Sequence, residues 1–344
     1  MNSIVIIGGG VAGLALAAGL SNFSENRITV IEKTNYDGIF AGEHLQSQIL
    51  PIFEDLKIPK KILFENSTAC DGILGRWANR PVLSKGFFNL YGQDYIVHRP
   101  DFEKSLAEFL KTKRVKFYLG VSPREIVKDA VKIENKTIKF DYLFDCSGRT
   151  SRQFNNQRIV FDNLLGISFY GLPKAKNDSK IVIESAENGW WYHTFSKKMN
   201  ITTYFTDSDY LQAQDLEQEL SKTEIIKNYC KRLTNKPHYK SAYTSILKSF
   251  PAEIYQIGDS YFSLDPLSSQ GIFKAFRQAS DVADVFTKNE FESVIADFYA
   301  KEKEYFFQSL KFREYFYNLG WQFYKSEFYK RRIELGLLDL SEKN

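Results

Sequence analysis

A chain of 344 residues with 43% hydrophobic content carries enough apolar material for a buried core, in one large or two modest domains. Its formal net charge of +4 gives no global case for a nucleic-acid partner, and its three scattered cysteines and four dispersed histidines form neither a disulfide framework nor a metal-ligand set. No apolar run approaches the roughly 20 residues of a membrane span, and the first strand begins too early for a signal peptide, so a cytoplasmic enzyme with reduced thiols is expected.

Ile4–Ile7 reads as a buried parallel strand that runs into Gly8-x-Gly10-x-x-Gly13 and then a helix through Leu14–Ala18. In that context Gly8 permits the tight turn, Gly10 lets a pyrophosphate approach the backbone, and Gly13 lets helix and strand pack closely. The helix start at Val11 and Ala12 turns its free N–H groups and positive dipole end toward the phosphates. A second strand, Ile28–Ile31, ends in Glu32 and Lys33, about 20 residues on, where an acidic side chain accepts from the adenosine ribose. The pattern predicts a bound dinucleotide.

After a break at Thr34–Gly38, Gln46–Leu56 reads as a helix and residues 62–98 as short β-like runs ending in Tyr95–His98. Pro100 opens a helix over Phe102–Leu110, and 114–146 reads as short strands closing on Tyr142–Phe144. The pattern is β again over Leu164–Tyr170, Lys180–Glu184, Trp190–Phe195 and Met199–Thr206, helical over Asp215–Arg232, and β over Glu253–Ile257. Beyond Asp265 it is almost wholly helical. These elements predict an α/β (mixed α+β) fold in which a Rossmann-like domain (1–65, 95–160 and 250–290) interleaves with a β-sheet substrate domain (66–94 and 161–249). C-terminal helices occupy 291–344.

Asp141–Arg149, Gly258-Asp259-Ser260 and Leu264–Ile272, in this order, resemble the FAD-dependent aromatic hydroxylases and flavin-dependent halogenases over nearly the whole chain. The resemblance implies noncovalent FAD, with Asp259 on the ribityl hydroxyls and Pro266, Gln270, Gly271 and Ile272 forming the turn and helix start against the isoalloxazine. Gly42-Glu43-His44-Leu45, Gly75-Arg76-Trp77 and Val97–Phe102 resemble the halogenase-like branch. The C-terminal aromatic-basic run does too, closest to the small flavoproteins that mature quinone-cofactor amine oxidases. By that likeness Arg99 lies near the FAD, where a guanidinium can neutralise phosphate, and Glu43 fixes a loop beside it. The Trp-x-Trp-x-Ile-Pro segment of halogenases is absent, and Lys85 is the candidate for their lysine.

The resemblance implies a monooxygenase that hydroxylates an electron-rich aromatic ring, tryptophan or phenol, through a flavin C4a-hydroperoxide. Oxygen is the co-substrate, and NAD(P)H or a separate flavin reductase is the electron source. Halogenation, reduction, or a maturation partner that grips a client without turnover are the alternatives. His44 and His193 are the candidate bases, with Tyr192 beside them. Trp190, Trp191 and Tyr192 are the candidate substrate wall, with Trp190 and Tyr192 on one face of a strand and Trp191 and His193 on the other. The tract 301–332 carries eight Lys/Arg against four Glu among many rings. It reads either as a helix clamped across the domains or as a docking surface for a peptide or protein that presents the ring.

Overall fold

The computed structural model describes residues 2–38, 43–84, 91–149, 151, 157–171, 179–195, 199–213, 215–230, 232–233, 236–249, 253–287 and 291–334. Lys85 and Gly42 lie outside the described residues.

The N-terminal pattern produces a five-stranded parallel sheet in the order Ile254–Gln256, Tyr142–Asp145, Asn2–Ile7, Asn26–Glu32, Lys116–Leu119. The helix Val11–Leu20 is apolar all round because it is covered all round, and Ala12 to Leu20 are all buried. It packs between the sheet and the helix Gly271–Thr287. Burying each of Leu14, Leu16 and Leu20, all at 0% exposure, contributes about 1.5–3 kcal/mol.

A seven-stranded sheet faces this unit, in the order His238–Ser241, Leu164–Gly171, Asn200–Asp207, Gly189–Phe195, Lys180–Ala186, Gly72–Trp77, Arg80–Ser84. Its neighbours are antiparallel except where Lys180–Ala186 runs parallel to Gly72–Trp77. Between the two sheets lies a three-stranded one, Glu43–Leu45, Asp94–Val97 and Ser67–Cys70.

Three local expectations give way to tertiary contacts. Lys60–Glu65 is a helix that overlaps the start of the stretch 62–98 read as β. Glu43–Leu45 is a strand, and the helix after it starts only at Ile49. The helix expected over Asp215–Arg232 is split into Leu216–Lys222 and Ile226–Tyr229. Asp215 caps the first piece through the N–H groups of Glu217 and Gln218. The buried Glu184 carboxylate accepts from the N–H groups of Glu224, Ile225 and Ile226 at 2.5–2.9 Å, which starts the second piece.

The long helix Phe291–Tyr324 and the short helix Glu327–Glu334 join the two sheets. Arg313 donates to Asp162 at 2.6 Å and to Thr244 at 2.9 Å, and Tyr317 donates to Asp265 at 2.9 Å. From the large sheet, Trp77 donates to the Phe316 carbonyl at 2.7 Å, and the Tyr329 hydroxyl donates to the Ala186 carbonyl at 2.7 Å. Arg332, 1% exposed, grips Asp207 and lies over the Phe328 ring at 3.9 Å. The tract is therefore a clamp in Arg313, Tyr317, Tyr329 and Arg332. Its basic cluster is not a free docking patch: Arg332 is internal, Arg331 pairs with Asp209, and Lys330 lies between Glu327 and Glu334.

Arg332→Met strands Asp207 without its main cation and should lower unfolding stability by about 3–5 kcal/mol. Lys330→Glu at the surface should change stability by less than about 1 kcal/mol. Denaturant unfolding of the two variants checks both values.

Candidate active site

The glycine loop closes as the pattern requires. Gly8 adopts φ 98°, and a Cβ on it would lie 2.4 Å from the Cys146 carbonyl oxygen. A Cβ on Gly13 would lie 1.9 Å from the Gly8 oxygen, so both positions exclude side chains for packing reasons alone. Gly10 differs: a Cβ there meets nothing nearer than Arg99 Nη2 and Glu103 Oε1, both at 3.8 Å. The open space beside Gly10 faces a guanidinium, which is what a pyrophosphate needs.

Arg99 is held there by two carboxylates. Its Nη1 donates to Glu43 at 2.7 Å, and its Nε and Nη2 donate to Glu103 at 2.9 and 2.6 Å. Burial alone would pull the guanidinium down, but the charges of Glu103 and Glu43 more than offset it and hold Arg99 cationic. Burial pushes the Glu103 carboxyl up despite Arg99. Glu103 was not expected here, although its i, i+4 spacing from Arg99 on one helix face is a signal the sequence carries.

Glu32 is buried, accepting from the N–H of Gly9 at 2.6 Å and from the N–H and hydroxyl of Thr34 at 2.8 Å, while Lys33 is exposed. Ala12 abuts the turn at Gly258, where a Cβ would sit 2.7 Å from the Ala12 methyl. Asp259 in that turn therefore lies next to the start of the nucleotide helix. It accepts from Lys274 at 2.8 Å and from Arg149 at 2.9 Å. Burial favours a neutral Asp259, yet Lys274 and Arg149 override it and keep the carboxyl well below the usual range. Lys274, fully buried on the helix that begins at Gly271, was missed because a lone lysine in an amphipathic helix reads as surface.

Pro266–Ser268 forms a helical turn capped by Asp265, and Ser269 sits at φ 52° before Gln270, Gly271 and the buried Ile272. Tyr305 of the long helix donates to the Gln270 side chain. The space beside Gly271 is open, with nothing within 4 Å of a would-be Cβ. The guanidinium of Arg99 beside Gly10 and the ionised Asp259 in the turn near the nucleotide helix suit the phosphate and hydroxyl groups of an FAD.

The strand Gly189–Phe195 sorts its side chains as alternation dictates. Trp190 and Tyr192 face inward: Trp190 stacks on Phe205 at 4.2 Å and tilts against Trp77 at 6.3 Å. Burial, then the charges of Cys70 and Glu43, push the Tyr192 phenol up, and its hydroxyl interacts with the His44 backbone. Trp191 and His193 face the other way. Trp191 packs on Tyr204, and His193 binds Thr202 at 2.7 Å and packs near Tyr229, under the two short helices. The two candidate bases, His44 and His193, thus lie on opposite faces of the large sheet.

His44 Nε2 contacts Asp94 Oδ2 at 3.0 Å, and Asp94 Oδ1 accepts from the Ser47 N–H at 2.8 Å. The buried His44 Nδ1 has no hydrogen-bond partner in the protein. Register also brings Lys240 of the edge strand to the inner face, opposite Gly166. The residue is exposed, and the crowding of its ammonium, then the charge of Arg99, brings it down to about 8, which local sequence could not reveal. Among the described residues no cluster of side chains is arranged for a metal ion, and no helix is long and apolar enough to cross a membrane.

Known proteins share this arrangement: the chain has the fold of flavin-dependent halogenases and of a peptidyl tryptophan dihydroxylase, and it is similar in sequence to a protein described as an FAD-dependent oxidoreductase. No protein-family model matches it. It is 26% identical over 302 residues to a protein of Marinomonas mediterranea described as an FAD-dependent oxidoreductase, LodB, covering 80% of this chain and 82% of that one. Its fold is similar to the myxobacterial chondrochloren halogenase CndH (TM-score 0.85, 18% identity, 99% of this chain and 87% of that one). It is also similar to QhpG, a peptidyl tryptophan dihydroxylase essential for tryptophylquinone cofactor biogenesis (TM-score 0.79, 18% identity, 96% and 78%).

Gly10→Val should leave the fold intact, since the space is open, and abolish FAD binding by filling the pyrophosphate site. Flavin absorbance of the purified variant, beside its circular dichroism, checks this. Lys240 lies within electrostatic range of Arg99, Glu43 and Glu103, so a titration of FAD affinity against pH should show a small step, screened by solvent, as its ammonium deprotonates near 8. The Lys240→Gln variant should show no such pH step in an FAD titration.

Proposed function

We propose that this protein is an FAD-dependent monooxygenase that hydroxylates an electron-rich aromatic ring, tryptophan or phenol, presented on a peptide or protein. The observation that carries the reading is the Asp94–His44 pair beside Tyr192. In the tautomer whose Nε2–H donates to Asp94, Nδ1 carries the lone pair, buried and without a hydrogen-bond partner in the protein. Such a nitrogen can take the proton that an indole or phenol loses when its ring is oxygenated.

Bound FAD supplies the redox chemistry with oxygen, with electrons from NAD(P)H or from a separate flavin reductase. The residues of the chain do the rest. Arg99 and the glycine loop hold the phosphates, and Asp259, kept ionised by Lys274 and Arg149, accepts from the ribityl hydroxyls. Tyr192 offers a flat, dry wall to the substrate ring, and the fully buried Trp190 on the same face of the strand is a core ring. A ring carried by a polypeptide is supported by the likeness to QhpG, a peptidyl tryptophan dihydroxylase.

Halogenation is the second reading, favoured by the likeness to CndH. The two readings separate on one assay. With reduced flavin and labelled dioxygen, the hydroxylase reading expects label in the aromatic product and no effect of bromide; brominated product that depends on Lys85 would establish the halogenase. His44→Ala should lower turnover by about 10²–10⁴-fold while FAD stays bound. Unchanged turnover in that variant would remove His44 as the base.

A further inference from the structure

Tyr36 follows the second strand of the parallel sheet and belongs to none of the roles assigned above. Its backbone is held at φ 61°, a left-handed conformation that a bulky residue seldom adopts. Its ring is built into the large core, and the residue is only 7% exposed. Yet its hydroxyl is buried with no hydrogen-bond partner in the protein. An unsatisfied buried hydroxyl is unfavourable, so strain and burial together aim a polar atom at a place where the protein offers it nothing.

That place is the nucleotide loop. The Tyr36 hydroxyl lies 2.6 Å from where a Cβ on Gly9 would sit, and that Cβ would also lie 2.9 Å from the Glu32 Cβ. Glu32 accepts three hydrogen bonds already, from Gly9, from the Thr34 backbone and from the Thr34 hydroxyl. A carboxylate has about four acceptor sites, so Glu32 has room for about one more donor. A ribose presents two adjacent hydroxyls, and the second needs a different partner. Burial, then Glu32 and Glu103, push the Tyr36 phenol up, so it stays protonated and able to donate.

We propose that the Tyr36 hydroxyl binds the adenosine ribose of the cofactor, donating to one ribose oxygen while Glu32 accepts from the neighbouring hydroxyl. The inference rests on the FAD assignment and on nothing in the monooxygenase reading. Nucleotide binding then satisfies a hydroxyl that no group of the protein pairs.

The test is Tyr36→Phe, which keeps the ring in the core and removes only the oxygen. Apoprotein is titrated with FAD and, as a probe of the adenosine half alone, with ADP, and the thermal midpoint of the apoprotein is measured alongside. The expected result is a loss of about 3- to 10-fold in affinity for both ligands, the range of one hydrogen bond, with an apoprotein midpoint unchanged or raised. Unchanged affinity for FAD and ADP overturns the proposal, whether the midpoint rises or falls. A loss for FAD without a loss for ADP also overturns it, because the contact would then lie outside the adenosine half. Failure of the wild-type protein to bind FAD at all would strike the flavoprotein assignment, while absence of hydroxylated product would strike only the proposed activity.

Discussion

The architecture depends on buried charge placed between two sheets that would otherwise have little reason to stay together. Arg313 reaches Asp162 beside the large sheet and lies 3.7 Å from Asp265 at the edge of the cofactor turn. Burial would favour neutral carboxyls at both, but Arg313 and Arg332 hold Asp162 below its usual range, while burial dominates at Asp265 and pushes it up. Such a cluster is weak as a source of net stability and strong as a source of geometry, since each charge has only one place where its partners are met. Arg332 on Asp207 repeats the device farther along. The rings of Trp77, Tyr317 and Tyr329 fill the space between these ionic contacts, Trp77 meeting Tyr317 and Tyr329 edge-on at 6.1 and 6.4 Å and the two tyrosines tilted against each other at 6.0 Å.

The same logic operates at the nucleotide loop. Glu43 reaches Arg99 from the small sheet, Glu103 reaches it from its own helix, and Arg99 borders Gly10. One guanidinium therefore ties the phosphate site to the strand that also carries His44. Tyr192 approaches the His44 backbone from the large sheet. Cofactor site, candidate base and aromatic wall are successive contacts along one path and not three independent features.

What could be read in advance follows the range of the interaction. The Gly8–Gly13 loop, the strand before it and Glu32 are set by neighbours within some twenty residues, and the chain alone displays them. Strand alternation likewise separated Trp190 and Tyr192 from Trp191 and His193 correctly, but which face meets the cofactor domain is a tertiary fact. The break in the helix expected over 215–232 comes from Glu184, some 40 residues upstream, and no periodicity inside the helix announces it. Arg332 looked like surface charge because its partner, Asp207, is 125 positions away. Lys274, Lys240 and Tyr36 were unreadable for the same reason: their meaning lies in what other segments bring beside them.

Asp265 shows what this wiring does to the whole molecule. One carboxylate oxygen accepts from the Leu267 N–H and shapes the turn before Gly271, and the other accepts from Tyr317 on the long helix. Twelve residues beyond Tyr317, Tyr329 of the next helix is fastened to the strand that follows Ala186. The turn before Gly271 and the strand pair at Ala186 and Gly189 are thus fastened at two points to one C-terminal helix pair, like the jaws of a caliper to its beam. The separation of these two segments therefore depends on the length of the helices that join them as well as on the residues between them.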